Sequence, residues 1–263
     1  MTNPVHRIIQ VTDLHMGETS ASRLAGICTY ESFTAVLADI AAQPERADLL
    51  MVSGDVAASG KHAAYHLFLE CVRRIDSPYA WLPGNHDDFF AMQSRFASAA
   101  YSPLLALDDW RVVSLNSAVP GRVGGLLVAD ELMFLERALN DEPDAPFIVF
   151  IHHPPVSVGC AWLDKQKIAN ADALEKIVRS AGNVKAIFTG HVHQPFETQW
   201  AGCSVYTTPS TCYQFAANSV DFAMSDALPG YRWIDLKAGG ELDTGVRYLG
   251  DIEHLVDHDT ASY

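Results

Sequence analysis

From the N-terminus to about residue 190, short apolar runs alternate with segments whose apolar residues recur at the helical period. Each run is rich in Val, Ile, Leu or aromatic side chains, which is typical of buried strands. The predicted strands are residues 5–12, 47–53, 79–82, 146–151 and 184–189.

Three apolar stripes between these runs predict helices, because residues at i, i+3, i+4 and i+7 share one helical face. The stripes are Phe33, Val36, Leu37 and Ile40; Leu67, Phe68, Cys71, Val72 and Ile75; and Ala173, Leu174, Ile177 and Val178. We interpret them as the core-facing sides of the helices. The alternation of strand and helix predicts an α/β architecture with largely parallel strands.

The pattern changes after residue 195, where strands follow one another with glycine-containing turns between them. These strands are predicted at residues 197–200, 204–208, 231–236 and 245–249. The simplest interpretation is a second, mostly antiparallel sheet. We expect a single domain over residues 1–263, with a core at 1–195, a C-terminal β region at 196–250 and a polar tail at 251–263.

Composition and charge narrow the function classes. Hydrophobic residues make up 49% of the 263-residue chain, but no run approaches the roughly 20 apolar residues that span a bilayer. The N-terminus lacks the basic and apolar regions of a signal peptide, which predicts a cytoplasmic protein. The net charge of −14 gives no electrostatic reason to bind a nucleic acid polymer or an anionic membrane. The oligomeric state stays open between monomer and homodimer.

The five cysteines are scattered, with no C-x-x-C pair and no zinc-finger spacing. We expect most of them to be reduced core residues, although a reactive thiol among them stays an alternative. They are Cys28, Cys71, Cys160, Cys203 and Cys212.

Asp, Asn and His residues follow each of the five predicted strands of the core. The segments are D-L-H at 13–15, G-D at 54–55, G-N-H-D at 84–87, H-H-P at 152–154 and G-H-V-H at 190–193. Six of the eleven histidines lie in these loops. Functional side chains in open α/β sheets collect at the carboxyl ends of the strands, so the five loops predict one shared site.

Each of these segments alone is a weak signal, since Asp after a strand is ordinary turn chemistry. All five in order at strand ends favour a metal site. Imidazole, carboxylate and amide donors without a thiolate suit Mn, Fe, Zn, Ni or Co. The candidate ligands outnumber what one ion takes, whereas two ions that share a carboxylate would use them all. These candidates are Asp13, His15, Asp55, Asn85, His152, His191 and His193.

In order, the five segments resemble the signature blocks of the calcineurin-like metallophosphoesterase superfamily. The resemblance covers about the first 195 residues and implies a four-layer α/β/β/α sandwich with two metal ions at its edge. Fe and Mn are the metals expected first, with Zn, Co, Ni or Mg as alternatives. The family pattern assigns Asp13, His15 and His193 to one ion, Asn85, His152 and His191 to the other, and Asp55 to both. Its H-x-P block selects His152 rather than His153 as a ligand.

Three further blocks, at residues 159–164, 209–212 and 229–232, resemble bacterial class III cyclic-nucleotide phosphodiesterases that act on cyclic AMP. This resemblance implies hydrolysis of 3′,5′-cyclic AMP to the 5′-monophosphate by a hydroxide that the two ions share. His86 is the candidate general acid, because the departing ribose oxygen needs a proton; a purely structural histidine is the alternative. Asp55 is a second catalytic candidate, through the ions that it would bridge. Asp87 is a candidate for orienting His15 or His86, with a simple turn role as the alternative.

The candidate substrate-binding residues are Asn85, His86, His193 and Trp162. Trp162 could stack on a nucleobase or simply be packed, and His153 could contact the phosphate or form local hydrogen bonds. The chain departs from the family pattern at Gly124-Gly125, where His-Gly is frequent. A broad-specificity phosphodiesterase or phosphomonoesterase, such as a glycerophosphodiesterase, is therefore an alternative. A non-catalytic interaction scaffold is a more remote one.

Overall fold

The computed structural model describes residues 6–96, 101–250 and 256–259. Five α-helices lie in these residues: α1 (Thr29–Ala41), α2 (His62–Val72), α3 (Phe89–Arg95), α4 (Ala129–Asp141) and α5 (Ala171–Ala181). Within the described ranges, none of the helices is long and apolar enough to cross a membrane.

The first of two large sheets has five strands. Its centre is parallel and consists of β1 (His6–Val11), β4 (Leu49–Ser53) and β5 (Tyr79–Leu82). On the other side of β1 lie two antiparallel strands, β14 (Gly230–Leu236) and β15 (Leu242–Tyr248), so the order is β15-β14-β1-β4-β5.

The second sheet has six strands in the order β10-β11-β9-β8-β7-β6. These strands are β6 (Leu104–Leu107), β7 (Trp110–Leu115), β8 (Phe147–Ile151), β9 (Val184–Thr189), β10 (Phe196–Trp200) and β11 (Cys203–Thr207). Strands β7, β8, β9 and β11 are parallel, whereas β6 and β10 pair antiparallel at the two edges. Two short hairpins complete the fold, β2 (Arg23–Leu24) with β3 (Ile27–Cys28), and β12 (Gln214–Phe215) with β13 (Met224–Ser225).

Three apolar clusters define four layers. The central cluster joins the two sheets, with Ile8 and Met51 from the first and Phe150 and Phe188 from the second among its members. A second cluster packs α1, α2 and α3 on the first sheet, and a third packs α4 and α5 on the second. Each large side chain buried in these clusters contributes roughly 1.5–3 kcal/mol of transfer free energy. The predicted α/β/β/α sandwich is confirmed.

The five core strands and three helices lie where the sequence predicts them, within a few residues, although Val5 at the first predicted boundary falls outside the described residues. The C-terminal region differs from the prediction. Its strands are mostly antiparallel, as expected, but they do not form a sheet of their own: β14 and β15 extend the first sheet, and β10 and β11 extend the second. The apolar pattern did not predict α3, α4, β6, β7 or the strands of the two short hairpins. Most of the predicted polar tail lies outside the described residues.

Candidate metal centre

The five loops predicted to carry metal ligands lie at one edge of the sandwich. Three follow β1, β4 and β5 of the first sheet, and two follow β8 and β9 of the second. Because these strands are parallel within each sheet, their carboxyl ends point to the same edge. The side chains are fully buried at Asp13, His15, Asp55, His152, His191 and His193. Asn85 is half-buried.

Ligand atoms from different loops approach one another closely. Nε2 of His15 lies 3.2 Å from Nε2 of His193 and 3.9 Å from a carboxylate oxygen of Asp55. The same Asp55 oxygen lies 3.2 Å from Nε2 of His152. Asp13 Oδ1 lies 3.3 Å from His193 Nε2 and 3.9 Å from His152 Nε2. Each carboxylate therefore faces one histidine of each predicted ligand set. These distances fit Asp55 as a shared ligand, and Asp13 meets the same criterion.

Five of these residues have a left-handed backbone conformation. Of the nine described non-glycine residues with positive φ, five are predicted ligands: Asp13 (54°), His15 (47°), Asp55 (49°), His191 (67°) and His193 (46°). Each such position costs about 1–3 kcal/mol unless its surroundings hold it. Strain concentrated at these loops is typical of a functional site, where it aims consecutive polar side chains at one point.

Backbone hydrogen bonds hold the loops after β1 and β4 side by side. Asp13 N donates to Gly54 O at 3.0 Å, and His15 N donates to Asp55 O at 2.9 Å. The parallel pairing of the two strands thus continues beyond their ends. This pairing places the carboxylates of Asp13 and Asp55 next to each other, and opposite charges or a bound cation must offset their repulsion.

Backbone carbonyls fix the ring orientation of two histidines. His152 donates from Nδ1 to Ser53 O at 2.9 Å, and His193 donates from Nδ1 to Tyr213 O at 2.9 Å. Because a carbonyl oxygen can only accept, Nδ1 carries the hydrogen in both rings. Both histidines therefore present Nε2 to the centre of the site, and the carbonyls support them as ligands.

His191 has the opposite orientation. Its Nε2 contacts Gln166 Oε1 at 3.1 Å, so its Nδ1 faces the site. Among the described residues, His191 Nδ1 and Asn85 Oδ1 are buried and have no hydrogen-bond partner. Buried polar atoms without a partner are costly and rare in native proteins. A metal ion bound by these two lone pairs would satisfy both atoms, so the donor set fits a metal centre.

Burial keeps two of the four ligand histidines, His15 and His191, neutral. Burial lowers the pKa of His15 and of His191 well below the ordinary value. Burial alone would raise the pKa of Asp55, but the adjacent His152 and His86 hold it well below its usual range. Burial also opposes protonation of His152, yet Asp55 raises the pKa of His152 to about 9. Without metal, a proton on His152 therefore balances part of the carboxylate charge.

His86 lies beside the ligand cluster and is half-buried. Its backbone N–H donates to Asp55 Oδ1 at 2.9 Å, and its Nδ1 donates to Ala58 O at 2.9 Å. The ring meets that of His15 edge-on, with the centroids 5.0 Å apart. Since Nδ1 is held by a carbonyl, Nε2 is the atom through which His86 can exchange a proton at the site.

Asp87 connects two metal loops. Its carboxylate accepts hydrogen bonds from the backbone N–H groups of Val56 (3.1 Å), Ala57 (3.0 Å) and Gly84 (3.0 Å), and from the hydroxyl of Tyr65 (3.2 Å). It therefore fixes the loops after β4 and β5 against each other. These contacts favour the turn role of Asp87 over the orientation of a histidine ring.

Both ring nitrogens of His153 form local hydrogen bonds. Ser117 Oγ donates to Nδ1 at 2.8 Å, and Nε2 donates to Val123 O at 2.9 Å. Burial, together with the neighbouring His152, lowers the pKa of His153 to about 3, so the ring is neutral. These contacts favour the local role over a phosphate contact and leave His152 as the ligand of the H-H-P segment.

Trp162 lies outside the ligand cluster and is half-buried. Its ring meets Phe215 at 4.8 Å and Phe222 at 5.2 Å, edge-on in both pairs. The indole N–H donates to Ser219 Oγ at 3.1 Å. The contacts of Trp162 are those of a packed side chain next to the site, and Phe215 in turn stacks on the ring of His193 at 4.3 Å.

Sequence analysis missed several residues that support the ligands. Gln166 and the carbonyl of Tyr213 orient His191 and His193, and no local pattern marks either residue. The hydroxyl of Ser210 donates to Asp13 O at 2.7 Å. Ser210 belongs to the 209–212 block noted in the sequence, so here a signal was present although it did not reveal the contact.

A model of the calcineurin-like phosphoesterase family matches residues 6–195, which include all five metal loops. This chain belongs to the calcineurin-like phosphoesterase family. The prediction that the chain is a phosphoester hydrolase with a metal centre is confirmed, as is the resemblance on which it depended.

Relatives of this phosphoesterase match over nearly its whole length. The 3′,5′-cyclic adenosine monophosphate phosphodiesterase CpdA of Escherichia coli K12 is 36% identical over 260 residues, which are 98% of this chain and 94% of that protein. CpdA of Pseudomonas aeruginosa is 34% identical over 257 residues, 97% of this chain and 94% of that protein. A dimetal phosphatase from Danio rerio has a similar structure, with a TM-score of 0.68 at 14% identity over 90% of this chain and 94% of that one. This last similarity shows the fold alone.

Proposed function

We propose that this phosphoesterase is a two-metal phosphodiesterase that hydrolyses 3′,5′-cyclic AMP to 5′-AMP, with other cyclic nucleotides as possible further substrates. The observation that carries the proposal is the 36% identity to the cyclic AMP phosphodiesterase of E. coli over 98% of this chain. A match limited to the metal loops would support only a phosphoesterase. This match also spans residues 196–250, which contribute Ser210, Tyr213 and Phe215 to the surroundings of the site.

In this proposal, Asp13, His15 and His193 hold one ion, Asn85, His152 and His191 hold the other, and Asp55 is shared. The approach of Asp55 to both His15 and His152 supports the sharing, and the unpaired Asn85 Oδ1 and His191 Nδ1 support the second set. Fe and Mn are the ions we expect first from the family resemblance; nitrogen and oxygen donors without a thiolate suit them and suit Zn, Co or Ni as well.

Charge explains how an acidic protein attracts a phosphodiester. The chain carries a net charge of −14, which repels an anionic substrate at long range. Only Asp13 and Asp55 of the proposed ligands are charged when the histidines are neutral, so two divalent ions leave the site locally positive. When bound, the ions supply Lewis acidity and lower the pKa of water to roughly 7 in favourable cases.

His86 is the proposed general acid. Opening the cyclic diester leaves the ribose 3′ oxygen, which is a poor leaving group unless it receives a proton. The Nδ1 hydrogen bond to Ala58 O holds the ring, and Nε2 would carry the proton that is delivered. Its position beside the Asp55 carboxylate places it at the edge of the ligand cluster rather than within it.

We further propose that Asn85, His86 and His193 border the phosphate, and that the exposed edge of Trp162 contacts the nucleobase. The packing of Trp162 against Phe215 and Phe222 supports its structural alternative equally well. Replacing Trp162 with Leu separates the two, since loss of a base contact raises KM for cyclic AMP more than KM for bis(p-nitrophenyl) phosphate. Loss of packing alone impairs both substrates together.

The catalytic unit in this proposal is the whole chain as one domain, because the 196–250 region supplies strands to both sheets. A cytoplasmic location belongs to the same proposal. All five cysteines are buried and free, as is usual in a reducing compartment.

The test is steady-state hydrolysis of cyclic AMP by metal-free protein reconstituted with Mn²⁺. We expect 5′-AMP formation by the wild type and its loss in Asp55→Ala. The matched control is Asp76→Ala, the same change at a carboxylate that is 95% exposed. Rates for 2′,3′-cyclic AMP and a glycerophosphodiester, measured alongside, define the preference.

Two results would contradict the proposal in different ways. Metal-dependent hydrolysis of a glycerophosphodiester, with almost no hydrolysis of cyclic AMP, would support the metal centre and contradict cyclic AMP as the substrate. Absence of bound metal in the wild-type protein would contradict the proposed two-metal enzyme and favour the non-catalytic interaction scaffold.

A further inference from the structure

Three of the proposed ligand histidines have a ring orientation fixed by a hydrogen bond, and they differ in the acceptor of that bond. Backbone carbonyls hold His152 and His193, and substitution of a side chain cannot remove such an acceptor. His191 depends instead on the side-chain oxygen of Gln166, 3.1 Å from its Nε2. Gln166 lies outside all five metal loops and is half-buried.

The hydrogen on the His191 ring decides whether the residue can bind a metal. A histidine that binds a metal ion is a neutral imidazole, in which only one of the two ring nitrogens carries a hydrogen. The amide oxygen of Gln166 accepts, which places that hydrogen on Nε2. The lone pair then remains on Nδ1, the buried atom that has no hydrogen-bond partner among the described residues.

The segment around Gln166 is held firmly on both sides. A 3-10 turn at Leu163–Lys165 precedes it, and Gln166 N donates to Leu163 O at 2.8 Å. The next anchor is Ile168, whose N–H donates to Pro154 O, directly after the His152-His153 pair. The backbone of Gln166 is thus held by main-chain contacts that do not involve His191.

The Gly124-Gly125 pair, which departs from the family pattern, packs against Gln166. A Cβ at Gly124 would lie 3.4 Å from the Cα and the carbonyl oxygen of Gln166, and Gly125 N donates to Gln166 O at 3.3 Å. A Cβ at Gly125 would lie only 2.6 Å from the ring of His153. The small residues allow the 124–125 loop to pack closely against both Gln166 and His153.

We infer that Gln166 is a positioning residue that holds His191 in the Nε2–H tautomer and so presents Nδ1 to one of the two metal ions. This inference rests on the two-metal site of the proposed function, but the tautomer itself is a property of the metal-free protein. Loss of such a partner typically weakens metal affinity about 10- to 100-fold. The effect should fall on the ion bound by His191 and spare the other.

The first experiment measures the tautomer of His191 in metal-free, ¹⁵N-histidine-labelled protein by long-range ¹H–¹⁵N correlation. The wild type should show the Nε2–H form. Gln166→Leu, which removes the acceptor at similar size, should show a mixture or the Nδ1–H form. Gln166→Glu keeps an acceptor oxygen at the same position and should retain the wild-type form.

The second experiment titrates the same proteins with Mn²⁺ by calorimetry. We expect two binding steps in the wild type, with one step weakened about 10- to 100-fold in Gln166→Leu and restored in Gln166→Glu. The matched control is Gln199→Leu, the same change at an exposed glutamine whose amide contacts Ser204. It should leave both steps unchanged.

An Nδ1–H tautomer of His191 in the wild type would overturn the inference, and so would unchanged affinity of both steps in Gln166→Leu. Failure of the proposed function has a different signature. A wild-type protein that binds two Mn²⁺ ions and does not hydrolyse cyclic AMP contradicts the substrate and leaves the role of Gln166 standing.

Discussion

Replacing Gly84 with alanine should displace the shared ligand Asp55 without changing any metal-binding group. At Gly84, the loop after β5 packs against the loop after β4. A Cβ at this position would lie 2.1 Å from Asp55 Oδ1 and 2.5 Å from Asp55 N. Rotation of the carboxylate cannot relieve the second contact, because that atom belongs to the main chain.

The size of the effect follows from the distances. Ordinary contact begins near 3.4 Å, so the Asp55 carboxylate must move by more than an ångström or the two loops must separate. A misplacement of about 1 Å at a catalytic centre costs about 100-fold in rate, which corresponds to about 2.7 kcal/mol in activation free energy. Overpacking adds about 1–3 kcal/mol of lost stability.

The assay compares kcat for cyclic AMP, bound Mn²⁺ per chain and thermal unfolding in wild type and Gly84→Ala. We expect a fall in kcat of about 100-fold with a reduced affinity for metal in a protein that remains folded. Gly250→Ala is the control, because its Cβ would meet no atom of the described residues within 4 Å. A Gly84→Ala protein with full metal content and a kcat within threefold of wild type would refute the argument from close approach.

Three further predictions concern neighbouring groups. His86→Ala should lower kcat for cyclic AMP about 10²- to 10⁴-fold at unchanged metal content. The loss for bis(p-nitrophenyl) phosphate should be much smaller, because its leaving group needs no proton. Equal losses for the two substrates would exclude the acid role of His86. Because the pKa of His152 is about 9, Mn²⁺ must displace the proton of His152, so the affinity for Mn²⁺ should rise with pH up to about 9. Calorimetry near pH 7 in buffers of different ionisation enthalpy should report this proton release. An affinity for Mn²⁺ that does not depend on pH would contradict the prediction. Asp87→Ala removes the acceptor of three backbone N–H groups and of the Tyr65 hydroxyl. Each buried donor that is left unsatisfied costs about 1–3 kcal/mol, so urea unfolding should show a loss of about 3 kcal/mol or more in the free energy of unfolding. The control Asp76→Ala should show almost no loss.

The positions of the ligand loops could be predicted from local patterns. Buried parallel strands appear as short apolar runs, and a polar residue directly after such a run must lie at the sheet edge. Asp13, Asp55 and His152 were located in this way. The seven predicted ligands do come together at one edge, since parallel strands leave no other place for the residues that follow them.

The arrangement of the C-terminal strands could not be predicted in the same way. A run such as β14 predicts a strand, but its partner is β1, more than two hundred residues earlier in the chain. Strand pairing depends on which edge of which sheet is left open, and this is known only when both sheets are assembled. The same limitation hid β6 and β7, which pair with each other and with β8.

The sequence by itself determined the order of the five core strands and of α1, α2 and α5, the donor types and the edge at which they meet, because each of these depends on residues near one another in the chain. Only the tertiary structure decided which nitrogen each histidine presents. His193 takes its orientation from Tyr213, and His191 takes the opposite one from Gln166. A ring hydrogen goes to the nitrogen that finds an acceptor, and both acceptors are supplied by segments outside the loops that carry the ligands.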